Sequence, residues 1–463
     1  MSAPAQPRLV TPVPTAPQPE APRRRLGQAG LRLNVRGRSI PLRGLRRQPT
    51  GILAVLAILG PGIVAGMAGD DAGGVATYSQ TGAKFGYGLL WVMVVITVSL
   101  AVVQEMCARL GAATGRGLVD LIRERFGIGW TLFAIVVVLV ANSGVTITEF
   151  VGVAASAELL GVSRYLAVPL AAALLWYLVI AGSYGGIEKV LLAMTLTFIA
   201  YPIAAILAQP DWGEVARGAV VPAIQRDPDF LTLLVALVGT TITPYMQLFQ
   251  QSAVVEKGVA RVEYGPERAD VYSGAVLGNL VSAFIIIATG ATLHVAGTTD
   301  IQTAAEAAQA LQPVAGNRAA VLFAVGLLGA SLIAAAVLPL ATAYSVAEAF
   351  GFRKGIHLDF RRARIFLGLF TTLMTIGAVV ALVPNVPVIA LLVGVQVLNG
   401  SLLPVVLLFI LLLVNDARLT GSLKNGGLHN VLGWGTWLLV TTAVVILLGS
   451  QALGAFGIDV LGG

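Results

Sequence analysis

Ala68-Gly69-Asp70-Asp71-Ala72-Gly73-Gly74 interrupts an otherwise apolar run that starts at Gly51 and resumes from Val75 past Tyr87. Two adjacent carboxylates flanked by three glycines thus sit inside a hydrophobic segment. Charge at mid-bilayer depth costs at least ~2.5–3.5 kcal/mol per residue, so it is held there only when it has a partner. Glycines let a helix unwind and free its carbonyls, and carbonyls with carboxylates form a hard-oxygen site for a cation. One reading is therefore a broken transmembrane helix that binds a metal ion. The other is a short loop between two half-length helices with both aspartates in water, and the stretch alone fits either.

Composition sets the class. The chain has 463 residues, 57% hydrophobic and 11% charged, with mean hydropathy +0.85. Soluble domains carry about 25% charged residues, so this is an all-α polytopic membrane protein embedded in a lipid bilayer. A single cysteine, Cys107, excludes a disulfide framework, and His294, His357 and His429 are far apart. No HExxH, P-loop, GxSxG or dinucleotide fingerprint is present, so no enzyme site and no cofactor are expected.

Residues 1–50 are rich in Pro, Arg and Ala without apolar periodicity and are expected to form a disordered basic tail. No secretory signal is expected, because no short apolar core precedes residue 51. Hydropathy then predicts eleven transmembrane helices: 51–86, 87–113, 129–160, 163–183, 187–208, 229–254, 269–296, 318–350, 362–383, 386–414 and 430–453. With the N-terminus in the cytoplasm, the tail's ten arginines and fifteen further Lys and Arg lie inside, against five outside. Eleven spans with a cytoplasmic N-terminus put Gly463 outside, and the membrane expected is the plasma (inner) membrane. The asymmetry also accounts for the net charge of +7 without a nucleic-acid partner.

A second interruption falls in the sixth span, at Thr240-Thr241-Ile242-Thr243-Pro244-Tyr245. Pro244 cannot donate to Thr240, whose carbonyl is freed, and the threonine hydroxyls add oxygen donors. Gln247, Gln250 and Gln251 make the following half polar, as in a helix lining a cavity. A Pro-kinked helix with back-bonded threonines is the alternative. The two breaks lie about 170 residues, or five spans, apart. Interrupted helices at matching places in two halves point to an inverted-repeat transporter with its site at the midplane. The organisation expected is a first five-helix repeat at 51–215, a second at 216–415, and a loop and eleventh helix at 416–463.

Gly60-Pro61-Gly62, Asp71-Ala72-Gly73-Gly74 and Gly82-Ala83-Lys84-Phe85-Gly86 resemble the first-helix signature of the Nramp divalent-metal transporters. Thr243-Pro244-Tyr245 stands where that family has Met-Pro-His, and Gln396-Val397-Leu398-Asn399-Gly400 resembles its tenth helix. The resemblance implies a LeuT-type fold with broken helices 1 and 6, and divalent-cation transport. Asp71 matches the ligating aspartate, Ala68 and Thr240 the carbonyl donors, and Gln396 the glutamine that closes over the ion. Thr243 replaces the ligating methionine, Gly74 the asparagine and Tyr245 the histidine. The third-helix acidic pair becomes Thr146 and Glu149.

These departures share a direction. A thioether favours Mn²⁺ or Fe²⁺ over Mg²⁺ and Ca²⁺, and a hydroxyl removes that discrimination. A roomier oxygen site of Asp70, Asp71 and Thr243 suits a partly hydrated Mg²⁺, which sheds water reluctantly. The pattern is similar to the Nramp-related magnesium transporters, whose first helix carries Asp-Ala-Gly-Gly, although that branch often has Ala where this chain has Thr243. The Nramp-related aluminium transporters of plants also lack the methionine. With no histidine in span 3 or 6 and one acid missing, proton coupling is expected to be weak or absent. Uncoupled Mg²⁺ and Mn²⁺ import would be driven by the membrane potential, ~2.3 kcal/mol per charge per 100 mV. The alternatives are a proton-coupled Mn²⁺/Fe²⁺ symporter, an amino-acid carrier on the same scaffold, and a membrane metalloenzyme, which lacks the needed His and Cys. Gly74, Tyr245, Gln247, Asn399, Glu149 and Thr146 are expected around the cavity. Glu105 and Arg109, one turn apart, are expected to pair within span 2.

Overall fold

The computed structural model describes residues 32–35, 38–41, 70–180, 199–259, 264–353 and 360–456. The chain divides into two units, Met1–Ala57 and Ile58–Gly463. In the first, within the stretch expected to be disordered, β1 (Arg32–Val35) pairs antiparallel with β2 (Arg38–Pro41), and Leu33 stands opposite Ile40.

The second unit is all-helical among the described residues. Its helices are α1 (Ala72–Phe85), α2 (Leu90–Thr114), α3 (Leu118–Phe126), α4 (Ile128–Leu159), α5 (Arg164–Ile180), α6 (Ala200–Leu207), α7 (Trp212–Val220), α8 (Pro228–Thr241) and α9 (Pro244–Lys257). There follow α10 (Tyr264–Thr289), α11 (Ala304–Ala308), α12 (Gln312–Ala315), α13 (Ala319–Phe350), α14 (Arg364–Ala381), α15 (Val388–Val414), α16 (Ala417–Thr420) and α17 (Gly427–Ala455). Eight helical stretches among the described residues are long and apolar enough to cross a membrane, and the 17-residue α5 is apolar but shorter. The first half of span 1 and most of span 5 lie outside the described residues.

Short helices also form where connections were expected. In α3, Leu118, Val119, Leu121 and Ile122 are buried while its arginines face outward. This is the one-sided pattern of a helix lying along an interface. In α7, the Asp211 carboxylate caps the amides of Gly213 and Glu214.

Packing sorts the long helices into two groups. α13 and α14 pack on α4 and on each other, whereas α10 packs on α2 and α1, and α9 on α2. α15 joins them through close contact with α8 and α1. The α8–α15 seam depends on glycine. A Cβ on Gly239 would overlap the backbone carbonyl of Gln396, and one on Gly400 would overlap that of Val235. Small residues of this kind let membrane helices approach backbone to backbone. The seam sets Thr240, one residue from Gly239, beside the turn of α15 that carries Gln396. At the other end of α1, Gln80 donates to Asp300 Oδ1 (3.1 Å) and accepts from the Ile301 amide (2.8 Å), and Lys84 pairs with Asp229.

Candidate cation site

The site is built where α1 begins. Asp71 is the N-cap of α1, with extended backbone, and its Oδ1 accepts from the Gly74 amide at 2.7 Å. Asp is a favoured cap because its carboxylate satisfies an amide that the helix leaves unpaired. The Ala72 amide donates to Glu149 Oε2 of α4 at 3.3 Å. Two carboxylates therefore close the positive end of this helix. Gly73 and Gly74, expected to belong to the unwound segment, lie instead in the first turn of α1. Helix resumes directly after the aspartate because the aspartate itself supplies the cap.

The second interruption faces it. α8 ends at Thr241 and α9 restarts at Pro244, and Ile242 and Thr243 between them have non-helical backbone. Pro244 opens α9, where a missing amide hydrogen costs nothing. Tyr245, in the next position, carries its hydroxyl toward the Asp71 carboxylate. From α15, Gln396 Nε2 lies 3.5 Å from Asp71 Oδ1, and Asn399 Nδ2 donates to Gln396 Oε1 at 2.9 Å. Residues from three helices, α1, α9 and α15, thus converge on one carboxylate.

These groups are sealed from solvent: Asp71 is 2% exposed, and Thr240, Thr243, Gln396 and Asn399 are 0% exposed. Asp71 Oδ2, Thr240 Oγ1, Thr243 Oγ1 and Asn399 Oδ1 have no hydrogen-bond partner among the described residues. A buried polar atom without a partner costs about 1–3 kcal/mol, and here the surplus is of oxygen lone pairs. Such a surplus fits a cation. No group of three His, Cys, Asp or Glu that could hold a metal is found among the described residues. Any ion here would be held by no more than two carboxylates, together with hydroxyl, carbonyl and amide oxygens.

The other expected site residues are placed as follows. Asp70, 1% exposed, turns from Asp71: its Oδ1 accepts from Ser282 Oγ of α10 at 2.7 Å. Gln247 faces α2, where its Oε1 stands 3.8 Å from the Cys107 thiol. Gly74 contributes its amide to the Asp71 cap. Thr146 is turned back on its own helix, donating to the Asn142 carbonyl at 2.7 Å. Ala68 lies outside the described residues. Two residues were not anticipated in their roles. Ser282 holds the second aspartate, and Gly73 makes room for Gln396, since a Cβ on Gly73 would overlap that side-chain amide.

Gly73→Ala separates stability from binding. Alanine is the better helix former by about 1 kcal/mol, so the fold should survive. Gln396 must move, however, and Mn²⁺ affinity is expected to fall about tenfold or more, as when a group positioning a metal ligand is lost. An unchanged calorimetric titration would remove Gln396 from the site.

Comparison with known proteins fits this geometry. Residues 62–450 match the family model for natural resistance-associated macrophage protein-like proteins, Nramp. The chain belongs to the Nramp family of metal transporters. Its fold is similar to that of the Eremococcus coleocola manganese transporter in complex with an aromatic bis-isothiourea substituted compound. There the TM-score is 0.72 at 22% identity, over 88% of this chain and 90% of the other. The H236A mutant of that transporter matches at TM-score 0.71, also at 22% identity and the same coverage. Mhp1, a nucleobase-cation-symport-1 family transporter in a closed conformation, matches more distantly. Its TM-score is 0.50 at 18% identity, over 83% and 91% of the two chains. Like these LeuT-type neighbours, this Nramp chain is an integral membrane protein of apolar helices.

Proposed function

We propose that this Nramp chain imports Mg²⁺ and Mn²⁺ without proton coupling, binding a partly hydrated ion at the midplane between broken helices 1 and 6. In this reading eleven helices form two inverted five-helix repeats and an added eleventh, with the N-terminus cytoplasmic and the C-terminus outside. Asp71, Asp70, Thr243, Gln396 and the carbonyls of Ala68 and Thr240 are the proposed ligands. The observation that carries the reading is the donor set around Asp71, which offers oxygen from carboxylate, hydroxyl and amide groups. The described histidines are elsewhere: His294 Nδ1 lies 2.8 Å from the Ala83 carbonyl, and His429 lies beside Glu105. Met246 packs with Val145, Tyr245 and Leu338. Without a soft ligand, nothing in the set favours Mn²⁺ or Fe²⁺ over Mg²⁺. One or two carboxylates with retained water are what Mg²⁺ commonly accepts.

The same geometry disfavours the amino-acid carrier. Such carriers leave the amides of a half-helix free for a substrate carboxylate. Here the Ala72 and Gly74 amides already serve Glu149 and Asp71. Uncoupled movement is favoured by Thr146, whose hydroxyl is spent on its own backbone where the family resemblance calls for an acid.

Proteoliposomes loaded with a pH-sensitive dye test this. External Mg²⁺ or Mn²⁺, under an inside-negative potential, is expected to enter without lowering lumenal pH. Acidification in proportion to metal influx would establish the proton-coupled symporter instead.

A further inference from the structure

A groove of about 470 Å³ opens where α3 ends, between the last turn of α15 and the start of α17. Its head is cationic. Arg125 and Arg418 both line it, with Asp416 between them in the lining set. Both oxygens of Asp416 are already committed. Its Oδ1 accepts from the Arg418 amide at 2.9 Å as the cap of α16, and its Oδ2 pairs with Arg125 Nε at 2.8 Å. That pair uses one edge of the Arg125 guanidinium, and the side chain is half exposed. The Arg418 side chain is exposed and has no ion pair or hydrogen bond among the described residues.

The walls are apolar. Phe126, Leu412 and Trp434 line the groove, and Leu412 and Trp434 are 40% and 37% exposed. Trp130 and Phe133 extend the exposed apolar surface along α4, where Trp130 and Phe126 both contact Phe409 of α15. α4, α15 and α17 are among the helices long and apolar enough to cross a membrane. An apolar face on such helices meets acyl chains, and tryptophan at its end marks the headgroup level.

We propose that this groove is a binding site for an anionic phospholipid, with its phosphate between Arg125 and Arg418 and its chains along Leu412, Trp434 and Trp130. Guanidinium groups bind phosphate oxygens through charge-assisted hydrogen bonds. Basic pockets between transmembrane helices, above a hydrocarbon surface, have the chemistry of anionic headgroup sites. A soluble anion would use the two arginines and leave the apolar wall unused. A neutral lipid would use the wall and leave the net positive charge of the head uncompensated. The occupant also bridges elements, since the groove spans the connection from α15, which carries Gln396, to α17.

The test is native mass spectrometry of the full chain released from detergent, titrated with phosphatidylglycerol, phosphatidylcholine and glycerol 3-phosphate. Phosphatidylglycerol is expected to bind more tightly than phosphatidylcholine. Each arginine near a headgroup contributes about 1 kcal/mol, or roughly fivefold in affinity. Arg418→Gln should therefore weaken phosphatidylglycerol about fivefold, and Arg125→Gln with Arg418→Gln by about 25-fold, with phosphatidylcholine unaffected. Arg418→Lys should retain most of the affinity, which separates charge from folding. Equal binding of the two lipids to the unmodified chain overturns the proposal. So does undiminished phosphatidylglycerol binding by the double variant, or displacement of the lipid by glycerol 3-phosphate at matched concentration.

Discussion

Asp71→Asn is expected to abolish calorimetrically measurable Mg²⁺ and Mn²⁺ binding and to reduce uptake at least ~100-fold, while the purified protein stays folded. Loss of a group that only supports a metal ligand costs about 10–100-fold, and loss of the sole carboxylate on which α1, α9 and α15 converge should exceed that. The substitution is chosen because Asp71 has two tasks. It caps α1 through the Gly74 amide at 2.7 Å, and it offers Oδ2 to the interior without a hydrogen-bond partner among the described residues. Asparagine retains the capping carbonyl and removes the charge. Asp71→Ala removes both and should add about 1 kcal/mol of destabilisation from the lost cap. If both variants lose the ion equally but only the alanine variant melts earlier, capping and binding are separated. An Asp71→Asn protein that still titrates with Mn²⁺ at the original affinity would refute the site.

Asp70→Asn is the informative companion. The proposed ligand set includes Asp70, yet its Oδ1 is engaged by Ser282 Oγ on α10. Asparagine can still accept from that serine, so the variant should fold. A loss of affinity matching that of Asp71→Asn would place both carboxylates on the ion. A much smaller loss would make Asp70 a distant source of negative charge.

What the sequence made legible follows from what repeats or breaks along one segment. Long apolar runs give span boundaries to within a few residues: 87–113 was expected and Leu90–Thr114 forms, and 386–414 compares with Val388–Val414. Pro244 with three threonines marks the place where α8 stops and α9 restarts, because a missing amide hydrogen is a local property. The i,i+4 pair of Glu105 and Arg109 forms at 2.9 Å for the same reason. The short helices α3 and α7 fall between the expected spans, since nine residues carry too short an apolar pattern to stand out from a connection. Side-chain direction was not legible at all. Adjacent aspartates diverge toward α10 and α15, and the Thr146 hydroxyl is taken up by the Asn142 carbonyl of its own helix. Gly73 owes its importance to a glutamine 323 positions away. Each depends on partners that only the packed helices bring near.

Glu105→Ala is expected to destabilise the protein by about 3–5 kcal/mol, through a cluster unrelated to the ion. Glu105 is 2% exposed, and its Oε2 lies 2.9 Å from the Arg109 guanidinium, which is itself buried. The Tyr264 hydroxyl donates to Glu105 Oε1 at 2.7 Å and reaches the Glu105 carbonyl at 3.1 Å. Arg109 donates in turn to Asn425 Oδ1, and Asn425 donates to Asn430 of α17 at 3.0 Å. His429 Nε2 stands 3.7 Å from Glu105 Oε2, and the half-exposed Arg268 lies 3.9 Å from Oε1. One carboxylate therefore ties α2 to α10 and α17. Removing it strands a buried guanidinium and leaves the tyrosine without its acceptor, which is the costly way to break a buried pair. Glu105→Gln keeps an acceptor for Tyr264 and loses only the charge, so it should fall between the alanine variant and the unmodified protein. Replacing both Glu105 and Arg109 with methionine should recover much of the loss, because two apolar side chains of similar length carry no desolvation penalty. Thermal unfolding in one detergent ranks the four proteins. A Glu105→Ala melting temperature equal to that of the unmodified chain would show that the cluster is surface-like in its energetics despite its burial. A double variant no more stable than Glu105→Ala would instead assign the loss to the stranded Tyr264 and Asn425 rather than to the unpaired guanidinium.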